Sequence, residues 1–293
     1  MELLAAGLTP QRQQYGKSGV RVAQVRRAGT RHDFTDIEVD ITLTGDMTRA
    51  YTEGDNASVL PTDSQKNTVY AFAKRYGIHP LEDFGLLLAE HFVSTQGAVR
   101  AARVTIRARL WQRLTPRHSF MDPGEERRTV TVTHDGESSW VIAGLCGLAV
   151  LNTTGSEFRG YLKDPYTTLP EAEDRILSTV VDARWRYAVA TPSDDWDGCH
   201  ARIRSALLDA FATTYSRSLQ QTLHAMASAA LTACTSAAEI RLALPNRHYV
   251  AVDLAQFGLE NQNDVFIATG APYGLIEGSL LRPDAPPAGL AWW

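Results

Sequence analysis

The apolar residues of this chain change period in the same order twice, and that doubled order limits the folds open to it more than any other feature. Ile37, Val39, Ile41 and Leu43 alternate with Glu38, Asp40, Thr42 and Thr44, the period of a strand with one wet face. Residues 20–26 read as a second strand, separated from the first by Gly29 and polar residues, so the two predict an antiparallel pair. The period then turns helical. Val69, Phe72, Ala73 and Tyr76 recur at helical spacing, as do Phe84, Leu87, Leu88 and His91, with Gly77 and Pro80 dividing the run into two helices. Strand alternation returns at Val104, Ile106, Ala108 and Leu110, and a shorter strand is read at Val130 and Val132.

From about residue 138 the order begins again. Trp140, Ile142, Cys146, Leu148 and Val150 alternate, as do Val181, Ala183, Trp185 and Tyr187. Two helices follow, marked by Ile203, Ala206, Leu207, Ala210 and Phe211 and by Leu219, Leu223 and Met226. Ile240, Leu242 and Leu244 return to strand period, with further strands expected over 249–254 and 275–280. This is a repeat of architecture without residue-level identity between the halves. It predicts an α+β chain of two tandem domains, 1–137 and 138–293, each an antiparallel four-stranded sheet with two helices on one face. Such a sheet has two free edges, so the halves can pair edge to edge, and copies from other subunits can close a barrel. A homo-oligomer is expected.

With 293 residues, 44% of them hydrophobic and 21% charged, the chain has material for a real core. A formal charge of −4 gives no basic footprint for nucleic acid. The opening MELLAAGLTPQRQQYGK lacks a charged leader followed by an apolar core, and no run approaches a membrane span, so a soluble, cytoplasmic protein is expected. Cys146, Cys199 and Cys234 are too few and scattered for a disulfide framework, which fits a reducing compartment. The adjacent Cys199 and His200 lie in a helical segment, where neighbours point apart, so no metal site is expected. The terminal Ala-Trp-Trp is not a peroxisomal address.

Four clusters are dense in functional residue types at strand ends and helix starts. Tyr15-Gly16-Lys17 precedes the opening strand, where a lysine is usually only a solvated charge. Residues 60–68, LPTDSQKNT, lead into a helix, so that Thr62 or Asp63 reads as an N-cap, or the helix start as a set of N–H donors for an anion. Thr154-Gly155-Ser156-Glu157-Phe158, Tyr166 to Pro170 and Asp174-Arg175 form a long turn-rich connection, where binding residues tend to sit. Leu219-Gln220-Gln221-Thr222 and residues 244–249, LPNRHY, make the fourth, in which Gln220 reads plainly as a surface residue and His248 as a satisfied junction histidine. No GxGxxG, Walker loop or HExxH accompanies them.

Taken in order, QYGK, PTDSQKNTVYAFA, TGSEF, YTTLPE with DRI, TVVDARWRY, SLQQT, LPNRHY and PYGLIE resemble the urate oxidase (uricase) family over nearly the whole chain. The resemblance implies two tandem tunnelling-fold (T-fold) domains assembled as a homotetramer around a β-barrel tunnel. It implies oxidation of urate by O2 and water to 5-hydroxyisourate and hydrogen peroxide, with no metal or organic cofactor. By the same resemblance Lys17, Thr62 and His248 would form the proton-transfer group. A lysine becomes a base at neutral pH only where burial or a nearby cation disfavours its charge. Arg175 and Gln220 would hold the anionic purine edge, Phe158 would stack on the ring, and the Asp63 N–H with Leu169 and Leu219 would complete the wall. Asn246 would hold O2 or water above the ring. Lys17 and Thr62 would come from one subunit and the Arg175, Gln220 and Phe158 wall from its neighbour. Arg247 stands where the family motif has lysine, away from the expected contacts. Competing readings are another T-fold enzyme acting on a pterin or purine, for which Glu157 or Glu277 would be the anchor, and a non-catalytic purine-binding oligomer.

Overall fold

Alternation of one apolar and one polar residue gives long strands with a covered face, and in the computed structural model these join into one antiparallel sheet. The structure describes residues 13–190 and 195–293. The reading of the N-terminus as leaderless rests largely on residues 1–12, outside the described residues.

The first half holds β1 (Gln14–Ala28), β2 (Arg31–Gly45), the short α1 (Thr48–Thr52), α2 (Thr62–Tyr76), α3 (Leu81–Thr95), β3 (Val99–Arg109), β4 (Gln112–Arg113), β5 (Phe120–Met121) and β6 (Arg127–His134). The second holds β7 (Ser139–Asn152), β8 (Leu177–Tyr187), α4 (Trp196–Thr213), α5 (Leu219–Ala233), β9 (Ala237–Arg247), β10 (Tyr249–Ala251), β11 (Phe266–Ala268) and β12 (Gly274–Leu281). Eight strands pair in the order β1-β2-β3-β6-β7-β8-β9-β12. β1 and β12 are therefore the outer strands, and β6 and β7 join the halves. The turn between His134 and Ser139 contains the expected 137/138 division.

The period-2 residues define the core. Val39, Ile41, Leu43, Val104, Ile106, Val132, Val181, Trp185, Ile240 and Leu244 are all buried. Helix α2 packs on β1, α3 on β3 and β6, and α5 on β9 and β12. Short elements without a periodic pattern are not foreseen: α1, the β4–β5 pair and β11. The expected strand over 249–254 ends at Ala251, because Leu254 opens a one-turn helix over Ala255–Phe257.

Two sequence expectations need correction. The halves do share residue-level features. The β1–β2 register slips between Lys17 and Val20, where Gly19 has φ 69° and its N–H donates to Asp40 Oδ1 at 2.7 Å. The β7–β8 register slips between Leu145 and Leu148, where Gly147 has φ 77° and its N–H donates to Asp182 Oδ1 at 3.0 Å. Each first strand thus bulges at a left-handed glycine clipped by an aspartate of the second strand. The pattern escapes a sequence reading because its two halves lie in different strands. The second correction is a disulfide. Cys199 in the first turn of α4 and Cys234 just past α5 are bonded, with Cα atoms 5.7 Å apart, while Cys146 is free. Antiparallel helix packing brings together two residues that spacing alone kept apart.

Between the halves lies a buried ionic knot. Arg128 of β6 donates to both Glu82 carboxylate oxygens at 3.0 and 2.9 Å, and also to Asp197 at the start of α4. Burial lowers the Arg128 proton affinity, but Glu82 and Asp197 more than offset it. Nearby His200 is 7% exposed and packs on Trp185, with ring centroids 5.5 Å apart. Burial, with Arg128 adding to it, pushes this imidazole down to about 3. The unfolded chain takes up that proton near pH 6.5 and the folded chain does not, so stability is full above pH 6.5. It falls by about 1.4 kcal/mol per pH unit between 6.5 and 3 from this group alone. Urea midpoints measured from pH 7 to pH 4 should therefore drop more steeply for the native chain than for His200→Gln, and parallel slopes would refute this origin of acid lability.

Candidate active site

The bulge in β1 aims the first group of candidate residues. Gly16 lies so close to β2 that an added Cβ would sit 1.8 Å from the Ile41 carbonyl oxygen, so only glycine permits this approach. Tyr15, partly buried against the core, accepts the Leu60 N–H on its hydroxyl at 2.8 Å. That bond ties the turn before α2 to β1, and the chain then enters α2 at Thr62. Pro61 occupies the N-cap position and makes no side-chain cap, so the expected capping role of Thr62 or Asp63 is not met. Proline suits this place because it has no N–H to leave unpaired. Thr62 and Asp63 instead lie in the first turn, where N–H groups lack helical partners.

Lys17 and Asp63 are brought within electrostatic reach of each other. The Lys66 ammonium, 2.5 Å from Asp63 Oδ1, holds the Asp63 carboxyl below the usual range, and Asn67 and Lys17 pull the same way. With its carboxylate turned to Lys66 and Asn67, Asp63 leaves its backbone N–H at the helix start as the donor for a ligand. Lys17 is half-buried on the outer strand of the sheet.

The second group assembles at the other end of the sheet. Asp174 accepts from Thr154 Oγ1 at 2.7 Å and from the Gly155 N–H at 3.0 Å, closing the long loop after β7. Within it the Arg175 N–H donates to Ser156 O, the Glu157 N–H to Ser216 O and the Phe158 N–H to Ala172 O, each at 2.8 Å. The loop is thus stitched to itself and to the residues before α5. Phe158 stacks with Tyr161 at 4.8 Å and 15°, and the Arg175 guanidinium lies 5.1 Å from the Phe158 centroid. Burial alone pulls Arg175 below the usual guanidinium range, and its Nε is buried without a partner among the described residues. A desolvated guanidinium with an unused donor is a site prepared for an anion with acceptor atoms on its edge.

Helix α5 starts beside this loop, its N-cap Ser218 accepting from the Gln221 N–H at 3.2 Å. Leu219 is buried in the core, whereas Gln220 is exposed. Asn246 and Arg247 end β9, with Asn246 opposite Thr179 on β8 and Gly274 on β12. His248 follows, exposed, its carbonyl accepting from the Thr269 N–H at 2.9 Å and hydroxyl at 3.0 Å. Leu169 is 59% exposed, and its carbonyl accepts from the Tyr161 hydroxyl.

The structure therefore gathers the candidate residues into two groups and not one. Lys17, Thr62 and Asp63 lie along β1. Phe158, Leu169, Arg175, Leu219, Gln220, Asn246 and His248 lie around β8, β9 and α5. Six strand spacings separate β1 from β9, about 29 Å along the sheet. Sequence reasoning placed Tyr15 and Asp174 in its clusters but gave them no role, and it missed Asp40; all three position these groups without carrying a reactive signature.

Comparison with known proteins follows the same outline. The family model described as Uricase matches residues 13–133 and 141–277. Uricase of Arthrobacter globiformis is 45% identical over 270 residues, covering 92% of this chain and 88% of that protein. Uricase of Aspergillus flavus is 36% identical over 288 residues, covering 92% and 95%. The crystal structure of the Arthrobacter globiformis uricase superposes with a TM-score of 0.93 at 42% identity, covering 98% of this chain and 99% of that one.

Proposed function

This chain belongs to the uricase family and is an oxidoreductase acting on urate, and on that premise we propose how its residues carry out the reaction. The observation that carries the proposal is the desolvated Arg175 guanidinium beside Phe158 and the start of α5, set apart from Lys17 and Thr62 on the opposite edge.

Urate is a planar purine anion. Arg175 and the Gln220 amide bind its edge, Phe158 lies against its ring, Leu169 and Leu219 bound it, and the Asp63 N–H binds the far side. Lys17 takes a proton through the Thr62 hydroxyl, with His248 completing the hydrogen-bond chain. Asn246 holds O2 or water above the ring. Deprotonated urate is electron-rich enough to reduce O2 once both are held in contact, so orientation and proton removal account for the catalysis. Two electrons pass from urate to O2, giving hydrogen peroxide, and water adds to the oxidised ring to give 5-hydroxyisourate. No metal or organic cofactor takes part in this scheme.

The same proposal includes the assembly. Halves 1–137 and 138–293 act as tandem domains, and copies meet through β1 and β12 to form a homotetramer around a barrel, with sites at subunit interfaces. Among the described residues no helix is long and apolar enough to cross a membrane. A cytoplasmic setting is part of the proposal; the Cys199–Cys234 bond removes the cysteine argument for it, but with 1% and 2% exposure the bond is shielded from reductant thiols there.

The test is the fall in urate absorbance in air on adding metal-stripped protein, with peroxide assayed alongside. Urate loss with matching peroxide is expected. A folded oligomer that leaves urate untouched would sink the scheme, and activity restored only by added metal would sink its cofactor-free form.

A further inference from the structure

The two bulges supply a common frame for the halves. Lys17 lies opposite Ile41 as Leu145 lies opposite Ala183, and Val20 opposite Val39 as Leu148 opposite Val181. Following the ladders outward, Val104 opposite Ile41 matches Leu242 opposite Ala183. Val132 opposite Val104 matches Gly278 opposite Leu242. Packing supports the match independently. A Cβ on Gly85 of α3 would meet Val132 Cγ2 at 2.7 Å, and one on Gly278 would meet Leu223 Cδ2 of α5 at 2.9 Å. The same helix-to-sheet contact is made in both halves with the large and small partners exchanged.

In this frame Glu82 near the start of α3 corresponds to Gln220 near the start of α5. Asp197 in the first turn of α4 corresponds to Asp63 in the first turn of α2. Ala108, opposite Arg128, corresponds to Asn246, opposite Gly274. The junction between the halves therefore holds an inner copy of the functional site. In it the Arg128 guanidinium, a planar group, donates to Glu82 on one side and Asp197 on the other. It spans the residues corresponding to Gln220 and Asp63, the two between which a planar purine is bound in the outer site. The inner copy lacks the lysine and threonine of the outer site, because buried Leu145 and Trp196 stand where the outer site has Lys17 and Thr62. An open cavity of about 450 Å3, bordered by Asp33, His79 and Asp197, remains at its mouth.

At the outer site the matching position is a glycine that the fold of one chain does not require. Gly274 has no positive φ, and an added Cβ would meet only Ile276 Cδ1 at 3.7 Å and Asn246 Cβ at 3.9 Å, ordinary contacts. We propose that Gly274 is the specificity-determining position that admits the planar purine, and that Arg128 closes the inner copy by filling the equivalent space. The inference rests on the urate reading of the outer site. It also fixes how two copies meet. Arg128 lies opposite Leu145 across β6 and β7, so Gly274 on β12 lies opposite Lys17 on β1 of a second copy, with Asn246 on its other side.

The experiment compares the native chain with Gly274→Ala and Gly274→Arg. Urate binding is measured without oxygen, turnover is measured in air, and assembly is followed by light scattering. Gly274→Arg should abolish urate binding, and Gly274→Ala should raise KM about tenfold with kcat within about twofold, since the added methyl intrudes on the bound purine and not on the base. Both should assemble and melt as the native chain does. Native turnover with unchanged KM in Gly274→Ala and retained binding in Gly274→Arg overturns the proposal. If Gly274→Arg fails to assemble, the alanine variant alone decides by its KM. A native chain that neither binds nor oxidises urate defeats the urate reading itself.

Discussion

Lys17→Ala should lower kcat for urate oxidation by about a hundredfold to ten-thousandfold, the usual range for removal of a positioned base, while anaerobic urate affinity changes little. The reason lies in how the site divides its work. In the proposed scheme Arg175, Gln220 and Phe158 hold the anion before and after it loses its proton, so removing Lys17 should leave binding largely intact. In that scheme Lys17 acts only as the proton departs, and an interaction made in the transition state alone appears in kcat. A variant within twofold of the native rate would remove Lys17 from the proton path.

Supporting residues divide differently. Tyr15 has no assigned part in the chemistry, yet its hydroxyl accepts the Leu60 N–H at 2.8 Å and places the turn that carries Thr62. Asp40 reaches the bulge through the Gly19 N–H while Arg107 donates to its other carboxylate oxygen at 2.7 Å. Together they set the angle at which Lys17 leaves the sheet. Precision of this kind comes from strand geometry, and a lysine proposed as the base is better placed on a clipped bulge than on a free loop.

The sequence disclosed the fold more fully than it disclosed the site. Alternation at Ile37 to Leu43 and at Val181 to Tyr187 is visible because a half-buried strand leaves no freedom in period, and Gly77 with Pro80 stops one helix before the next. Helix α1, the β4–β5 pair and β11 were not visible, since elements of two to five residues are too short to show a period. The site was legible only through long motifs. Singly, Lys17 looks like a solvated charge, Gln220 like a surface residue and His248 like a junction histidine, and the isolated chain indeed leaves Gln220 and His248 exposed. Their significance depends on groups about 29 Å away along the same sheet. The Cys199–Cys234 bond and the Asp40 and Asp182 clips were hidden for a related reason, as each joins residues of different elements whose proximity only the packed structure creates.

That separation leads to a prediction that no arrangement within one chain can satisfy. Lys17→Ala and Arg175→Ala chains, each nearly inactive alone, should recover activity when co-expressed or unfolded and refolded together. A mixed pair forms one site that is doubly impaired and one that is whole, the latter joining Lys17 from the Arg175→Ala chain with Arg175 from the Lys17→Ala chain. With random assembly of equal amounts, half of all sites receive a native Lys17 and half of those a native Arg175, so activity should reach about a quarter of the native value. Mixing the two proteins after folding should restore activity only as fast as subunits exchange, which separates true assembly from any additive residue of activity. The Gly274 frame sharpens the expectation. A Gly274→Arg chain should be complemented by Lys17→Ala no better than its own Lys-bearing half allows, because the blocked face and the Arg175 wall travel on the same subunit. Gly274→Arg with Arg175→Ala should therefore give no recovery, while Gly274→Arg with Lys17→Ala should give about a quarter. Recovery in the first mixture would place Gly274 with the Lys17 half-site, and failure of every mixture despite mixed assembly would return the whole site to a single chain.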